Sequence, residues 1–169
     1  MRLRGISYLF VLLALGACKL ENQEEKTLAT NWEIGPFEKQ DAINPILRPD
    51  PSVLFTDPVS VSETAWEGRN VLNPSAVVKD GKVHLIYRAQ DEKMTSRIGL
   101  AVSEDGLHFT KEPSPIFYPD NDAMLIYEAL GGVEDPRVVQ GEDGTYILTY
   151  TAYDGKTARL CLASSKDLK

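Results

Sequence analysis

The chain has 169 residues and a formal net charge of −7, with 43% hydrophobic and 25% charged positions. That balance describes a folded domain of ordinary size rather than a disordered chain. The acidic surplus, with no basic run interleaved with aromatics, argues against a nucleic-acid partner, which needs a basic face.

Residues 1–18, MRLRGISYLFVLLALGAC, combine two early arginines, an apolar run from Ile6 to Leu15 and a small-residue end. The run is too short to cross a bilayer and has the form of a secretory signal. Its ending, LGAC, is similar to a bacterial lipobox, which predicts lipidation of Cys18 and an exported, membrane-anchored protein facing the periplasm or the cell surface. Residues 19–30, KLENQEEKTLAT, are polar and suit a tether. Cys161 is then the one remaining cysteine, so no internal disulfide is expected, and its apolar surroundings predict a small buried hydrophobe. His84 and His108 lack partners at metal-ligand spacing, and no metal or cofactor is expected.

From residue 31 onward strand and turn signals dominate. The stretch up to Val61 is proline-rich and predicts a short approach strand at most. AVVKDGKVHLIYRA reads as a hairpin turning at Asp80-Gly81. IGLAVSEDGLHFTK reads as a second, turning at Asp105-Gly106, and RVVQGEDGTYILTYTAY as a third, turning near Asp143-Gly144. ARLCLASSKDLK opens a fourth. These hairpins are two copies of one unit: Tyr87 and Tyr150 are 63 residues apart, Asp105 and Asp167 are 62 apart, and each copy carries an S-x-D turn. A four-stranded module repeated at this period predicts an all-β propeller. Two blades leave open edges, so residues 31–169 are expected to be the N-terminal part of a longer propeller that folds poorly alone.

The repeat aligns Asn73-Pro74 with Glu134-Asp135-Pro136 at the head of each blade's innermost strand, which faces the propeller axis. A proline there need not donate to the ladder and biases the preceding residue toward extended geometry. Asp135 is therefore expected to be extended and aimed at the axis. Glu134, its neighbour on a strand, is expected to point the other way, holding hydroxyls or buttressing the loop. Gly131 and Gly132 are expected to permit close approach of a ligand.

NPSAVVKDGKVHLIYRA, IGLAVSEDGLHF, GGVEDPRVV and YTAYDGKTARLCLASSKDL together resemble glycoside hydrolase family 130, from about Trp32 to the end of the chain. The resemblance implies a five-bladed β-propeller, of which about the first two blades are present, acting on β-mannosides with inversion. It implies that Asp135 is the general acid, protonating the glycosidic oxygen by way of a sugar hydroxyl. It implies that Asn73 and Arg88 hold the mannose, with Asp91 assisting and Arg97 a weaker candidate. Arg159 matches an arginine that meets inorganic phosphate in the phosphorylases of the family, or is a strand-edge arginine. Tyr127 and Tyr153 are placed either to stack on sugar faces or to pack. The family includes hydrolases and phosphorylases; export favours hydrolysis, because a sugar phosphate made outside the cytoplasm is lost. The alternatives are phosphorolysis to mannose 1-phosphate, with inorganic phosphate as co-substrate, and a lipid-anchored glycan-binding propeller without catalysis. A five-bladed glycosidase using one carboxylate per blade is disfavoured by Asn73 in the first blade.

Overall fold

The computed structural model describes residues 35–169. The signal-like segment 1–18 with Cys18, and the tether 19–30, lie outside the described residues. The chain divides into two compact units, one ending at Lys39 and one spanning Gln40–Lys169. Of the first, residues 35–39 are irregular and exposed.

The second unit is almost entirely strand. A small hairpin comes first: β1 (Phe55–Asp57), the short approach strand expected before Val61, pairs antiparallel with β2 (Ser62–Thr64). The first module then runs as β3 (Asn70–Lys79), β4 (Lys82–Gln90), β5 (Ser96–Ser103) and β6 (Thr110–Lys111), each antiparallel to the next. Its first turn has Asp80 at φ 51° and Gly81 at φ 75°, the two left-handed residues of a tight hairpin that matches strand twist. A one-turn helix, α1 (Leu125–Glu128), leads to the second module: β7 (Gly132–Gln140), β8 (Tyr146–Tyr153) and β9 (Ala158–Ser165). The modules meet where β5 and β7 run parallel at a single pair, Ser96 opposite Gly132.

Their facing sides enclose one core, with Ile86, Ile98 and Leu100 packed with Val133, Val138, Tyr150 and Ala152. Cys161 packs against this cluster but is half-buried rather than buried as expected. A second cluster, Trp66, Tyr87, Ala89 and Ala101, backs the other face of the first module. Successive residues Ile86 and Tyr87 thus bury on opposite faces, so Leu85, Ile86 and Tyr87 of β4 are all buried. In β9 the alternation survives: Cys161 and Ala163 face the core, while Leu160 and Leu162 are exposed.

The repeat extends to buried polar pairs. Tyr87 donates to Glu67 at 2.9 Å, and Tyr150 donates to Glu128 at 2.8 Å. Each glutamate is buried and lies just ahead of its module's first strand. Lys111 also pairs with Glu67. Burial pushes both tyrosine hydroxyls up, reinforced by the adjacent carboxylates, so both stay protonated donors.

Candidate active site

The site begins with an irregularity that both modules share. The β3–β4 register shifts between Leu72 and Ser75, and the β7–β8 register shifts between Glu134 and Arg137. Each shift is a bulge made of one left-handed residue and a proline: Asn73 at φ 45° before Pro74, and Asp135 at φ 50° before Pro136. Asn and Asp tolerate this region better than other non-glycine residues, and a bulge is a place where proline's missing amide costs no ladder bond. The extended geometry expected of Asp135 is therefore incorrect. The preference imposed by the following proline yields to the bulge.

This changes where the carboxylates point. Strand alternation would send Glu134 and Asp135 to opposite faces; the bulge brings both onto one guanidinium. Arg88, opposite Leu72 in β4, donates from Nη2 to Glu134 Oε1 at 2.5 Å and from Nη1 to Asp135 Oδ1 at 3.0 Å. Its Nε donates to Ser96 Oγ at 3.0 Å. Asn73 Nδ2 donates to the same Oδ1 of Asp135 at 2.6 Å. With two donors on Oδ1, a proton carried by Asp135 resides on Oδ2. Arg137 donates to the main-chain carbonyls of Pro136 and Asn73.

The two carboxylates are tuned in opposite directions. Burial pushes Glu134 up and outweighs the attraction of Arg88 and the hydrogen bond from Ser96. Burial also pushes on Asp135, but the hydrogen bonds from Asn73 and Arg88 and the charges of Arg88 and Arg137 overcome it, holding this carboxyl below the usual range. Exposure accounts for the difference: the Glu134 side chain is 13% exposed and that of Asp135 41%.

Beside Arg88 and Glu134 lies a recess of about 220 Å³, lined also by Gln90, Met94, Leu130 and Tyr153. Tyr153 lies against Gly131, where an added Cβ would sit 2.3 Å from its ring. Gly132 is pressed on the Ser96 main chain, where an added Cβ would fall 2.1 Å from the carbonyl oxygen. Both glycines admit neighbouring protein atoms, and Gly131 also lines the recess.

Two candidates do not join this cluster. Arg97 is buried and donates to Asp57 at 2.5 Å and to Asp91 at 2.9 Å. Asp91 also accepts from the amides of Lys93 and Thr95. Asp91 thus serves Arg97 and its own loop, not Arg88. The second module repeats the device: Arg159 donates to Asp154 at 2.7 Å, and Asp154 accepts from the amides of Lys156 and Thr157. Arg159 also lies over the Tyr127 ring, 5.1 Å from its centroid. His108 pairs with Asp105 at the β5–β6 turn, and His84 lies in β4 with burial pushing its pKa down.

A row of residues without a sequence signature supports the cluster. Asn70 donates to Gln90 at 3.0 Å, Gln90 to Ser96 at 3.2 Å, and Ser96 to Glu134 at 3.2 Å. All three depend on neighbours brought together across strands.

A family model described as β-1,4-mannooligosaccharide phosphorylase matches residues 37–169. The chain belongs to glycoside hydrolase family 130. Like other members of family 130 it is built as a five-bladed β-propeller, of which Asn70–Ser165 forms about the first two blades. It is 38% identical over 117 residues to a 1,2-β-oligomannan phosphorylase of Thermoanaerobacter sp. (strain X514), covering 63% of this chain and 38% of the relative. A glycosyl hydrolase structure from Bacteroides ovatus superposes with a TM-score of 0.79 at 39% identity, covering 82% of this chain and 40% of that one. A structure described with family 130 hydrolases that target β-1,2-mannosidic linkages in Candida mannan gives a TM-score of 0.79 at 40% identity, with the same shares covered. The chain thus spans about two-fifths of the length of these relatives.

Proposed function

We propose that the protein cleaves β-mannosides with inversion, that Asp135 supplies the proton to the leaving oxygen, and that water is the nucleophile. The observation that carries this reading is the Arg88 fork, which ties Glu134 and Asp135 of one blade to Asn73 of the other. Two donors, Arg88 and Asn73, and two acceptors, Glu134 and Asp135, converge there, which suits a sugar ring rich in hydroxyls. Arg88 and Asn73 orient the sugar, and Asp135 Oδ2 is the oxygen available to hold or release a proton. An inverting reaction also needs a second group about 6.5–9.5 Å away to activate the nucleophile. That group belongs to parts of the propeller beyond these two blades.

Asp135 on its own is a poor acid, because its donors favour the carboxylate. A sugar that covers its exposed face removes water and pushes it back toward protonation. Relay through a sugar hydroxyl fits this arrangement, since the hydroxyl takes the place of solvent at Oδ2.

Identity is similar to both kinds of relative, 40% to the structure described with family 130 hydrolases and 38% to a phosphorylase, so the preference for water rests on the export signal read in residues 1–18. Engagement of Arg159 by Asp154 and Tyr127 weakens its assignment to phosphate. Phosphorolysis is the second reading, favoured by the phosphorylase relatives and the description of the family model. The test uses full-length protein on β-1,2- and β-1,4-mannobiose, with and without inorganic phosphate. Free mannose formed without phosphate supports hydrolysis; strict phosphate dependence with mannose 1-phosphate as product overturns it. Turnover unaffected in Asp135→Asn removes Asp135 from the acid role, and binding without turnover in the wild type supports a glycan-binding propeller.

The lipid anchor is part of the same proposal. It rests on the LGAC ending and the polar segment after it. Loss of membrane association in Cys18→Ser is the expected result, and unchanged fractionation overturns the anchor.

A further inference from the structure

Ser96 is fully buried at the single ladder pair between β5 and β7, and its hydroxyl lies between the guanidinium and a carboxylate. Its main-chain amide donates to Gly131 at 2.8 Å, so the backbone is fixed by the junction itself. Its hydroxyl has three partners: Arg88 Nε at 3.0 Å, Gln90 Nε2 at 3.2 Å and Glu134 Oε1 at 3.2 Å. A hydroxyl has one proton and two acceptor lone pairs. The guanidinium Nε can only donate. The Gln90 amide is set as a donor because its oxygen already accepts from Asn70 and its nitrogen also faces the Met94 carbonyl. Both lone pairs of Ser96 are therefore occupied, and its single proton goes to Glu134.

Glu134 Oε1 then takes two donors, Ser96 and Arg88 Nη2, and any proton that Glu134 carries resides on Oε2. We propose that Ser96 is a positioning residue of the sugar site, locking the Arg88 fork between the two carboxylates and leaving Glu134 Oε2 as the oxygen that meets a sugar hydroxyl. The proposal rests on the reading of the Asp135 cluster as a mannoside site. It goes beyond that reading in making the blade junction, through one hydroxyl, responsible for the geometry of Arg88.

The groups that face Glu134 are Arg88 from β4, Ser96 from β5, its neighbour Asp135 in β7 and Tyr153 from β8 across the recess. Ser96→Ala removes a donor to the ionised form of Glu134 without adding bulk. In full-length protein, kcat/KM on the mannobiose turned over by the wild type is expected to fall about 10-fold, the share of one hydrogen bond to a charged group. The Glu134 carboxyl carbon, followed by carbon-13 NMR, is expected to titrate at higher pH than in the wild type. A purely structural serine would leave that titration in place. Ser96→Cys, with a weaker donor, is expected between the two, and it decides the matter if the alanine variant does not fold. An unmoved Glu134 titration with kcat/KM within twofold of wild type overturns the proposal. If the wild type turns over no mannoside, the functional reading fails, and the role of Ser96 is still read from the titration alone.

Discussion

Asn73 in the first blade and Asp135 in the second occupy the same bulge one repeat apart, and their side chains meet across 2.6 Å. Neither blade makes this contact alone. The duplicated bulge aims an amide from one copy at a carboxylate from the other, so a structural repeat becomes an asymmetric pair. The Arg88 side chain completes it from the strand beside Asn73.

Arg88→Lys tests the fork directly. An ammonium is a point charge on a flexible stem and cannot bridge Glu134, Asp135 and Ser96 together. A loss in kcat/KM of roughly 100-fold is expected, the scale set by misplacing a positioning group. Steady-state kinetics on the full-length protein measures it, and a loss below threefold would show that charge alone suffices.

Asp91 and Arg97 should affect stability, not substrate affinity. Both are buried, and Arg97 bridges Asp57 and Asp91. Asp91→Ala strands half of that bridge and frees the amides of Lys93 and Thr95. Breaking a buried pair by removing one partner costs about 3–5 kcal/mol. Urea denaturation is expected to show that loss, with KM unchanged in the protein that remains folded. A raised KM at wild-type stability would return Asp91 to the sugar site.

The blades were legible because their signals are local. Asp80-Gly81 and Asp143-Gly144 mark turns, and the 62–63-residue spacing of Tyr87 with Tyr150 and Asp105 with Asp167 marks the copy. Asp135 and Arg88 were reached through the repeat and the family resemblance. The bulge was not legible, because rules for proline and for strand alternation both assume an unbroken ladder. Ser96 and Gln90 escaped notice for another reason: their partners lie on other strands, and a single serine or glutamine carries no pattern. The structural part of Arg97 and Asp91 was open to inspection. The same loop aspartate and strand arginine recur as Asp154 and Arg159, and such duplication fits a blade-building device better than a unique ligand contact.

Gly132→Ala should open the junction between the blades. Gly132 has φ 91°, and a Cβ there would meet the Ser96 carbonyl oxygen at 2.1 Å. Gly144 is the control, with φ 77° and nothing within 4 Å of the same added atom. Left-handed geometry alone costs an alanine about 1–2 kcal/mol, which is the loss expected for Gly144→Ala. Gly132→Ala adds a backbone clash that no side-chain rotation relieves, and a loss of at least about 3 kcal/mol is expected. Equal losses at the two positions, measured by thermal or urea unfolding, would mean that the junction relaxes freely.

Asn73→Ala should weaken the blade pairing in a pH-dependent way. Although burial works against it, Asp135 is held below its ordinary value by hydrogen bonds from Asn73 and Arg88. A carboxyl lowered by folding contributes stability above its unfolded value, near 3.9, and loses it as pH falls through the folded value. Removing Asn73 should therefore cost most near neutral pH, about 1 kcal/mol for one hydrogen bond to a charge that solvent partly screens. As pH falls below the unfolded value and through the folded one the difference between variant and wild type should shrink, because Asp135 takes up its proton in both. Glu134 titrates with the opposite slope, since burial raises it, and it remains in the variant, so it cancels in the comparison to first order. Urea midpoints for the two proteins from pH 2 to pH 7 measure the effect. A penalty that is constant across that range would assign the Asn73 contribution to packing instead of to the Asp135 charge.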